Sequence, residues 1–568
     1  MTRILVIGCG LAGISAAVRS AELGAAVTLI SVARPDRSQS VMAAGGINAA
    51  LNTKGENDSP EEHAQDTLRA GVYLADPAAV EDLTRAAPEL VAGLGRRGVV
   101  LNRDADGNID LRHFGGQKKM RTAFSRSGTG RQLITGFSAE LLRHETAGRI
   151  TFLDHHRFLS PVCRKNRCVG AVIEDTATGT LSTVTSDAVI VASGGLGGLF
   201  PGHTGSRLSD GSVSAALFQK GVEMANLEMI QYHPTTVETP AKHMLISESA
   251  RGEGGRLFTF RDGKRWYFME EWYPELGNLM PRDIISRAIY KVCHDMNLGI
   301  GGKNTVGLEL EHLPEHIRND RLKEITDLCT TYLHRDPAET YIPATPAVHY
   351  FMGGIRVDRS HRTSLPGLYA AGECACQYHG ANRLGRNSTL AAVYGGRIAA
   401  VTAVRECIPA DAAETAAADE LAAVRERLSA MTGKTRPTGK LRKLQEIIAD
   451  AMGIVRTGSG LENGLALLAT LRTEPVSALP RHSGEALAEE DLLDLGEAMM
   501  RSALARTETA EHTAGPITPT ATMKNSKKPS SRKKPETNLP SGLRKSEKNI
   551  HERNSQNQTR RNICRISH

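Results

Sequence analysis

At 568 residues the chain is too long for one ordinary hydrophobic core, so two or three domains are expected. The composition is globular, and its plentiful glycine (55 residues) and scarce aromatics (4%) suit an α/β protein whose turns approach a ligand closely. The net charge of +7 suggests an acidic partner, but the Lys/Arg excess is concentrated after Ala510 and the remainder is near balance, so no nucleic-acid role is expected.

Nine scattered cysteines, the closest pair being Cys374 and Cys376, lack the spacing of a zinc or redox motif and read as reduced thiols, with no metal site. No apolar run approaches the length of a membrane span. The first strand starts at Arg3, leaving no room for a secretory signal, so a cytoplasmic location is expected, with any membrane attachment made through a partner.

Taken in order, Ile4-Leu-Val-Ile-Gly-Cys-Gly-Leu-Ala-Gly13 reads as a buried strand running into Gly8, Gly10 and Gly13. A helix over Ile14 to Leu23 and a second strand over Ala26 to Ser31 follow. This βαβ context is what a dinucleotide fingerprint needs: glycines for the turn and close approach, and a pyrophosphate on the helix N-terminus. Ser31 ends the second strand where a nicotinamide-binding fold usually places an acid, which favours FAD over NAD.

In Val41-Met-Ala-Ala-Gly-Gly-Ile-Asn-Ala-Ala50, Gly45 and Gly46 suit a flat ligand and a tight turn equally. Ala188 to Gly195 is another buried strand ending in glycines. Asp210 precedes a helix, where an acid is more often an N-cap than a ligand. From Pro234 to Pro343 the strand-helix alternation breaks down, suggesting an inserted domain. Ala412 to Ala430 and Leu441 to Met452 have helical periodicity.

Between these lies the densest chemistry: Thr345-Pro-Ala-Val-His-Tyr-Phe-Met-Gly-Gly-Ile355 and His379-Gly-Ala-Asn-Arg-Leu-Gly-Arg-Asn-Ser388, read as two turns separated by the strand that begins at Leu368. A histidine, an arginine, a carboxylate (Glu373) and paired glycines together suggest a place where a flavin meets a dicarboxylic acid.

Several separated strings in fixed order then carry a resemblance: Gly45-Gly-Ile-Asn-Ala-Ala-Leu51, His63-Ala-Gln-Asp-Thr67, Phe114-Gly-Gly-Gln117, Gln231-Tyr-His-Pro-Thr235, Ser247-Glu-Ser-Ala-Arg-Gly-Glu-Gly-Gly255 and Pro281-Arg-Asp283. From residue 1 to about 508 the chain resembles the flavoprotein subunit of succinate dehydrogenase and fumarate reductase. The resemblance implies an α/β fold: a Rossmann-like FAD-binding domain in two segments (1–233 and 344–405), an inserted α+β capping domain (234–343), a C-terminal helical domain (406–509), and a tail (510–568).

It also implies roles. His233, Ser247, His349 and Arg383 match substrate-binding positions, Ser247 standing where a threonine is usual. Arg282 matches the arginine that exchanges a proton with the substrate, and Glu248 with Arg251 the relay behind it; read without the family strings, these three are an ordinary salt-bridge network. FAD contacts fall on Gly8, Gly10, Gly13, Ser31, Ser38, Ser40, Gly45, Gly46, Asp210, Glu373, Arg383, Ser388 and Leu390. An iron-sulfur partner subunit is implied, since no cysteine set here suits a cluster.

Two departures stand out. Where most succinate dehydrogenases link FAD through a histidine in Arg-Ser-His-Thr, this chain has Arg37-Ser-Gln-Ser40, so Gln39 predicts non-covalent FAD. L-aspartate oxidase, which shares the fold and non-covalent FAD, is the nearest alternative; its loop usually reads His-Gly-Ala-Asn-Arg-Leu-Ala-Ser-Asn, whereas Gly385-Arg386 sides with the succinate/fumarate group. An electron-transfer component with no substrate site of its own is a second alternative.

The other departure follows Arg506-Thr-Glu508, where the family continues with a string like Ser-Arg-Gly-Ala-His-x-Arg-x-Asp-Tyr-Pro. Ala510 to Pro519, written GCG GAG CAC ACT GCC GGG CCG ATT ACC CC and displaced by two bases, reads Gly-Ala-His-Cys-Arg-Ala-Asp-Tyr-Pro. This predicts a change of reading frame near Thr509. Resequencing the gene across that codon should reveal family-like residues in a shifted phase; their absence from both shifted phases would end the idea.

Overall fold

The computed structural model describes residues 1–506 apart from 115, 127, 240–242, 411–412, 432–438 and 476–482. The basic tail, with the change of frame expected near Thr509, lies outside the described residues.

Four apolar runs read from the sequence and a fifth, unread strand, Ile150–Leu153, form one parallel sheet, in the order Leu368–Ala370, Ala188–Val191, Arg3–Ile7, Ala26–Ile30, Ile150–Leu153. Successive side chains leave opposite faces, and both faces are covered, which is why the strands are apolar throughout rather than alternating. Ile4, Val6, Leu29 and Ile190 enter one core with the helices Leu11–Glu22, Thr129–Thr146 and Asn387–Glu406. Leu5, Ile7, Val189 and Val191 enter the other.

That second core also takes Leu444, Ile448, Leu492 and Met499 from the helices Gly439–Ala451 and Ser483–Ala505. The helices after residue 406 therefore do not enclose a separate core. They complete the far face of the sheet, while Ala413–Ala430 packs on the antiparallel strands His156–Arg164, Arg167–Asp175 and Leu181–Thr185.

The irregular stretch is built on a six-stranded sheet, in the order His243–Leu245, Ile230–Glu238, Ile342–Phe351, Val306–Glu309, Arg256–Arg261, Lys264–Trp266. It has its own core of Ile246, Leu257, Phe268, Ile285 and Ile289. Positions 233/234 and 343/344 fall inside two of these strands, so the chain passes between the cores along paired strands rather than through loops.

Beside the first core, Arg121 is wholly buried between two carboxylates, with Nη2 2.9 Å from Asp58 Oδ1 and Nη1 3.0 Å from Asp66 Oδ2. Breaking such a cluster from the cationic side leaves Asp58 without a buried cation and Asp66 with only the partly exposed Arg69 (3.2 Å). Arg121→Met should therefore lower the unfolding free energy by about 3–5 kcal/mol in denaturant titration of the FAD-loaded protein; a loss below about 1 kcal/mol would contradict this account.

Candidate functional site

Where the first strand meets its helix, the backbone closes on itself. Gly8 has φ +102, and a Cβ there would meet Ala192 O at 2.3 Å; one on Gly13 would meet Gly8 O at 1.7 Å. With no side chain at either position, the helix N-terminus stands close against the sheet. Leu11 N donates to Ser40 Oγ (3.1 Å).

A cavity of about 330 Å³ opens from this turn. One end is lined by Gly8, Gly10, Ser31, Ser38, Gln39, Ser40, Gly45, Gly46, Glu373 and Ser388, the other by His233, Ser247, Glu248, His349, Arg383 and Arg386. The first group fits FAD: the glycine turn brings a helix N-terminus to face it, and Ser38 Oγ and Gln39 Oε1 are buried without hydrogen-bond partners. Burial pushes the Glu373 carboxyl up to about 7, against the Phe351 N–H that donates to it (3.1 Å) and the charge of Arg383.

Some expected residues lie elsewhere. Asp210 is not on the cavity wall; its Oδ1 accepts from Ser212 N (3.0 Å) and Oδ2 from Arg157 Nη1 (2.8 Å), so its lone pairs serve the start of the helix Ser212–Gln219 and an ion pair. Leu390 points into the first core, wholly buried, because apolar burial decides its side of the helix. Gly13 acts by letting helix and strand touch, as above, rather than by lining the cavity.

At the other end, His233 and His349 sit on neighbouring strands with ring centroids 5.1 Å apart. His349 lies in the strand Ile342–Phe351 rather than in a turn, and the pairing shifts register between Gln231 and Tyr232 opposite it. Burial holds both imidazoles well below their ordinary range, reinforced by the charges of Arg282 and Arg386, so both are neutral. Thr204 Oγ1 lies 2.7 Å from His349 Nδ1 and fixes that ring.

Arg282 and Arg251 stand just behind the wall, around Glu248. Arg282 donates through Nε (3.2 Å) and Nη2 (2.9 Å) to Glu248 Oε2, and through Nη1 to Gln231 Oε1 (3.0 Å). Arg251 Nη2 is 4.0 Å from Glu248 Oε1, while its Nη1 donates to Asn278 O (2.6 Å). Burial alone would raise the Glu248 carboxyl; Arg282, Arg251 and Arg386 outweigh it and hold the group at about 2, ionised. Burial pushes Arg251 and Arg383 each down to about 10.

Gln231, quoted in the sequence without a role, ties the site together. Its Oε1 also accepts from Arg383 Nη2 (3.0 Å), and its Nε2 donates to Asn382 Oδ1 (2.7 Å) and Arg383 O (2.9 Å). Asn382 Nδ2 in turn donates to Asp283 Oδ1 (3.0 Å). A second buried network fixes the same loop from the other side: Asn48 Nδ2 donates to Gly385 O and to Asn387 Oδ1 (2.7 Å each), and His63 Nε2 lies 2.9 Å from Asn387 Oδ1. Thr204 carried no sequence signal, being a lone threonine between a strand and a helix.

Comparisons with known proteins agree with this geometry. A model of the FAD binding domain matches residues 3–389, and one of the fumarate reductase flavoprotein C-terminus matches 441–510. The succinate dehydrogenase flavoprotein subunit of Bacillus subtilis is 45% identical over 403 residues, 71% of this chain and 69% of that protein. The fumarate reductase flavoprotein subunit of Mycobacterium tuberculosis is 35% identical over 536 residues, 89% and 90% of the two chains. A FrdA variant from E. coli quinol fumarate reductase superimposes with a TM-score of 0.82 at 29% identity, over 89% of this chain and 90% of that one. With a glycine-lined cradle, a buried arginine-carboxylate cluster and these relatives over most of its length, the chain belongs to the family of succinate dehydrogenase and fumarate reductase flavoprotein subunits, FAD-dependent oxidoreductases.

Proposed function

We propose that this protein interconverts fumarate and succinate, with Arg282 as the proton-exchanging residue. The observation that carries the reading is the Arg282–Glu248 ion pair (2.9 Å) at the edge of a cavity walled by His233, Ser247, His349 and Arg383. A dicarboxylate needs donors at both ends, and the neutral histidines, the Ser247 hydroxyl and the Arg383 guanidinium provide them. Holding one carboxylate against such donors draws electrons from the double bond and makes a carbon electrophilic.

FAD, held by the glycine-turn end of the cavity, would furnish hydride-transfer chemistry for the substrate carbon. Arg282 gives a proton to the neighbouring carbon in reduction and removes one in oxidation, so that one hydride and one proton together saturate the double bond. An arginine is a poor acid in water, its pKa lying above ~12. The role requires a site closed to water and a carboxylate that returns the proton at once. Glu248 is in contact with Arg282, and Arg251 continues the path on its other oxygen.

FAD would be held by Gly8, Gly10, Ser31, Ser38, Ser40, Gly45, Gly46, Glu373 and Ser388. Gln39 lines the same wall, and an amide nitrogen, its lone pair delocalised, is no nucleophile toward the flavin methyl group. Lacking that electron-withdrawing link, the cofactor should have a lower potential, which favours fumarate reduction. In this reading 234–343 caps the cavity; its helix Lys323–Leu328 already contributes Glu324, Ile325 and Leu328 to the wall.

Among the described residues no helix is long and apolar enough to cross a membrane. We place the chain in the cytoplasm, reaching any membrane through partner subunits, one of them an iron-sulfur protein. The relatives' names and the Gly385-Arg386 pair favour this reading over L-aspartate oxidase.

The FAD-loaded chain should reduce fumarate with a reduced dye and oxidise succinate more slowly; peroxide formation from L-aspartate without fumarate reduction would reverse the order. Arg282→Met should lower turnover by about 10²–10⁴-fold in both directions while malonate still binds. Acid precipitation should leave the flavin in the supernatant, and a yellow pellet would overturn the non-covalent reading.

A further inference from the structure

One guanidinium in the cavity has no hydrogen-bond acceptor or ion-pair partner among the described residues. Arg282 is held by Glu248 and Gln231, Arg251 by Asn278 O, and Arg383 by Gln231 and Ser388. Arg386 lines the same cavity, yet no hydrogen bond or ion pair joins its guanidinium to any described residue, and its buried Nε lacks an acceptor. Burial, helped by Arg282 and Arg383, outweighs the pull of Glu248 and pushes the group down to about 9.

Its position is nevertheless built. The Cζ lies 4.1 Å from the centre of the Phe114 ring, so one side of the group is covered by an aromatic face. Gly45 flanks it: a Cβ there would meet Arg386 Nε at 1.8 Å, so only glycine leaves room for this side chain. The backbone at Arg386 has φ 71 and ψ −3, a left-handed conformation that glycine adopts freely and arginine does not. A strained backbone, a stacking partner and a missing side chain opposite all serve one unpaired fork of N–H donors at the junction of the FAD end and the diacid end.

We propose that Arg386 is a specificity-determining residue that grips a carboxylate of the bound diacid and makes the site selective for dianions over monoanions. The inference rests on the dicarboxylate reading above. A guanidinium with a covered face and free edge donors is shaped for a carboxylate, which it meets through two parallel hydrogen bonds. The local charge agrees: Arg251, Arg282 and Arg386 lie around the ionised Glu248 and Arg383 lines the same cavity, so a dianion is better matched to the surroundings of Glu248 than a monoanion.

The test is titration of malonate and of propionate into the oxidised, FAD-loaded protein, followed by flavin absorbance. Arg386→Met keeps the length and the stack on Phe114 without charge; Arg386→Gly suits the left-handed backbone, so failure to fold is not a general escape. In both variants the malonate Kd should rise about tenfold or more, that of propionate should change less than about threefold, and Arg386→Lys should recover part of the malonate affinity. An unchanged malonate Kd, or equal losses for the two acids, overturns the assignment. Wild-type protein that binds neither acid sinks the dicarboxylate reading and the role of Arg386 with it.

Discussion

One ionised carboxylate, Glu248, sits among guanidinium groups removed from bulk water, and the character of the site follows from that imbalance. Burial by itself would neutralise the carboxyl; the surrounding cations keep it charged and in contact with Arg282. The excess positive charge has two further effects. It helps keep His233 and His349 neutral, so each imidazole offers one donor and one acceptor, and it leaves more cations than anions around Glu248. A ligand that brings its own negative charges relieves a cost the fold carries in its absence.

Such a cluster persists only if its members cannot move apart. His233 and His349 are placed on long paired strands, rigid elements that hold side chains more closely than loops do. The loop from His379 to Ser388 has no such support of its own. It is held from one side by Gln231 and Asp283 and from the other by Asn48 and His63, through buried and part-buried hydrogen bonds between residues 99 to 337 positions apart. Each bond is modest in isolation, but in a dry interior a lost partner leaves an unsatisfied polar group, so the set acts as a unit.

The helices after residue 406 show the same economy in the core. They carry the hydrophobic periodicity of a separate helical unit, yet Leu444, Ile448, Leu492 and Met499 join Leu5, Ile7, Val189 and Val191 in one core. Covering the second face of the parallel sheet is what these apolar stripes are for. The sheet whose central strand Arg3–Ile7 runs into the glycine turn at the cavity is thereby covered on both faces.

The amino-acid sequence by itself determined the parallel sheet, the glycine turn at Gly8 to Gly13 and the family, because runs of Ile, Leu and Val, fixed glycine spacings and ordered strings are local patterns. It also marked Gln39 as a departure, a matter of one residue type at one place. Only the tertiary structure decided that Asp210 serves a helix and an ion pair instead of the cavity, that Leu390 faces the core, and that Gln231, Thr204 and Arg386 belong to the site. Those outcomes depend on which partner reaches a polar atom first, and the partners come from strands and loops far apart in the chain, where no local pattern records them.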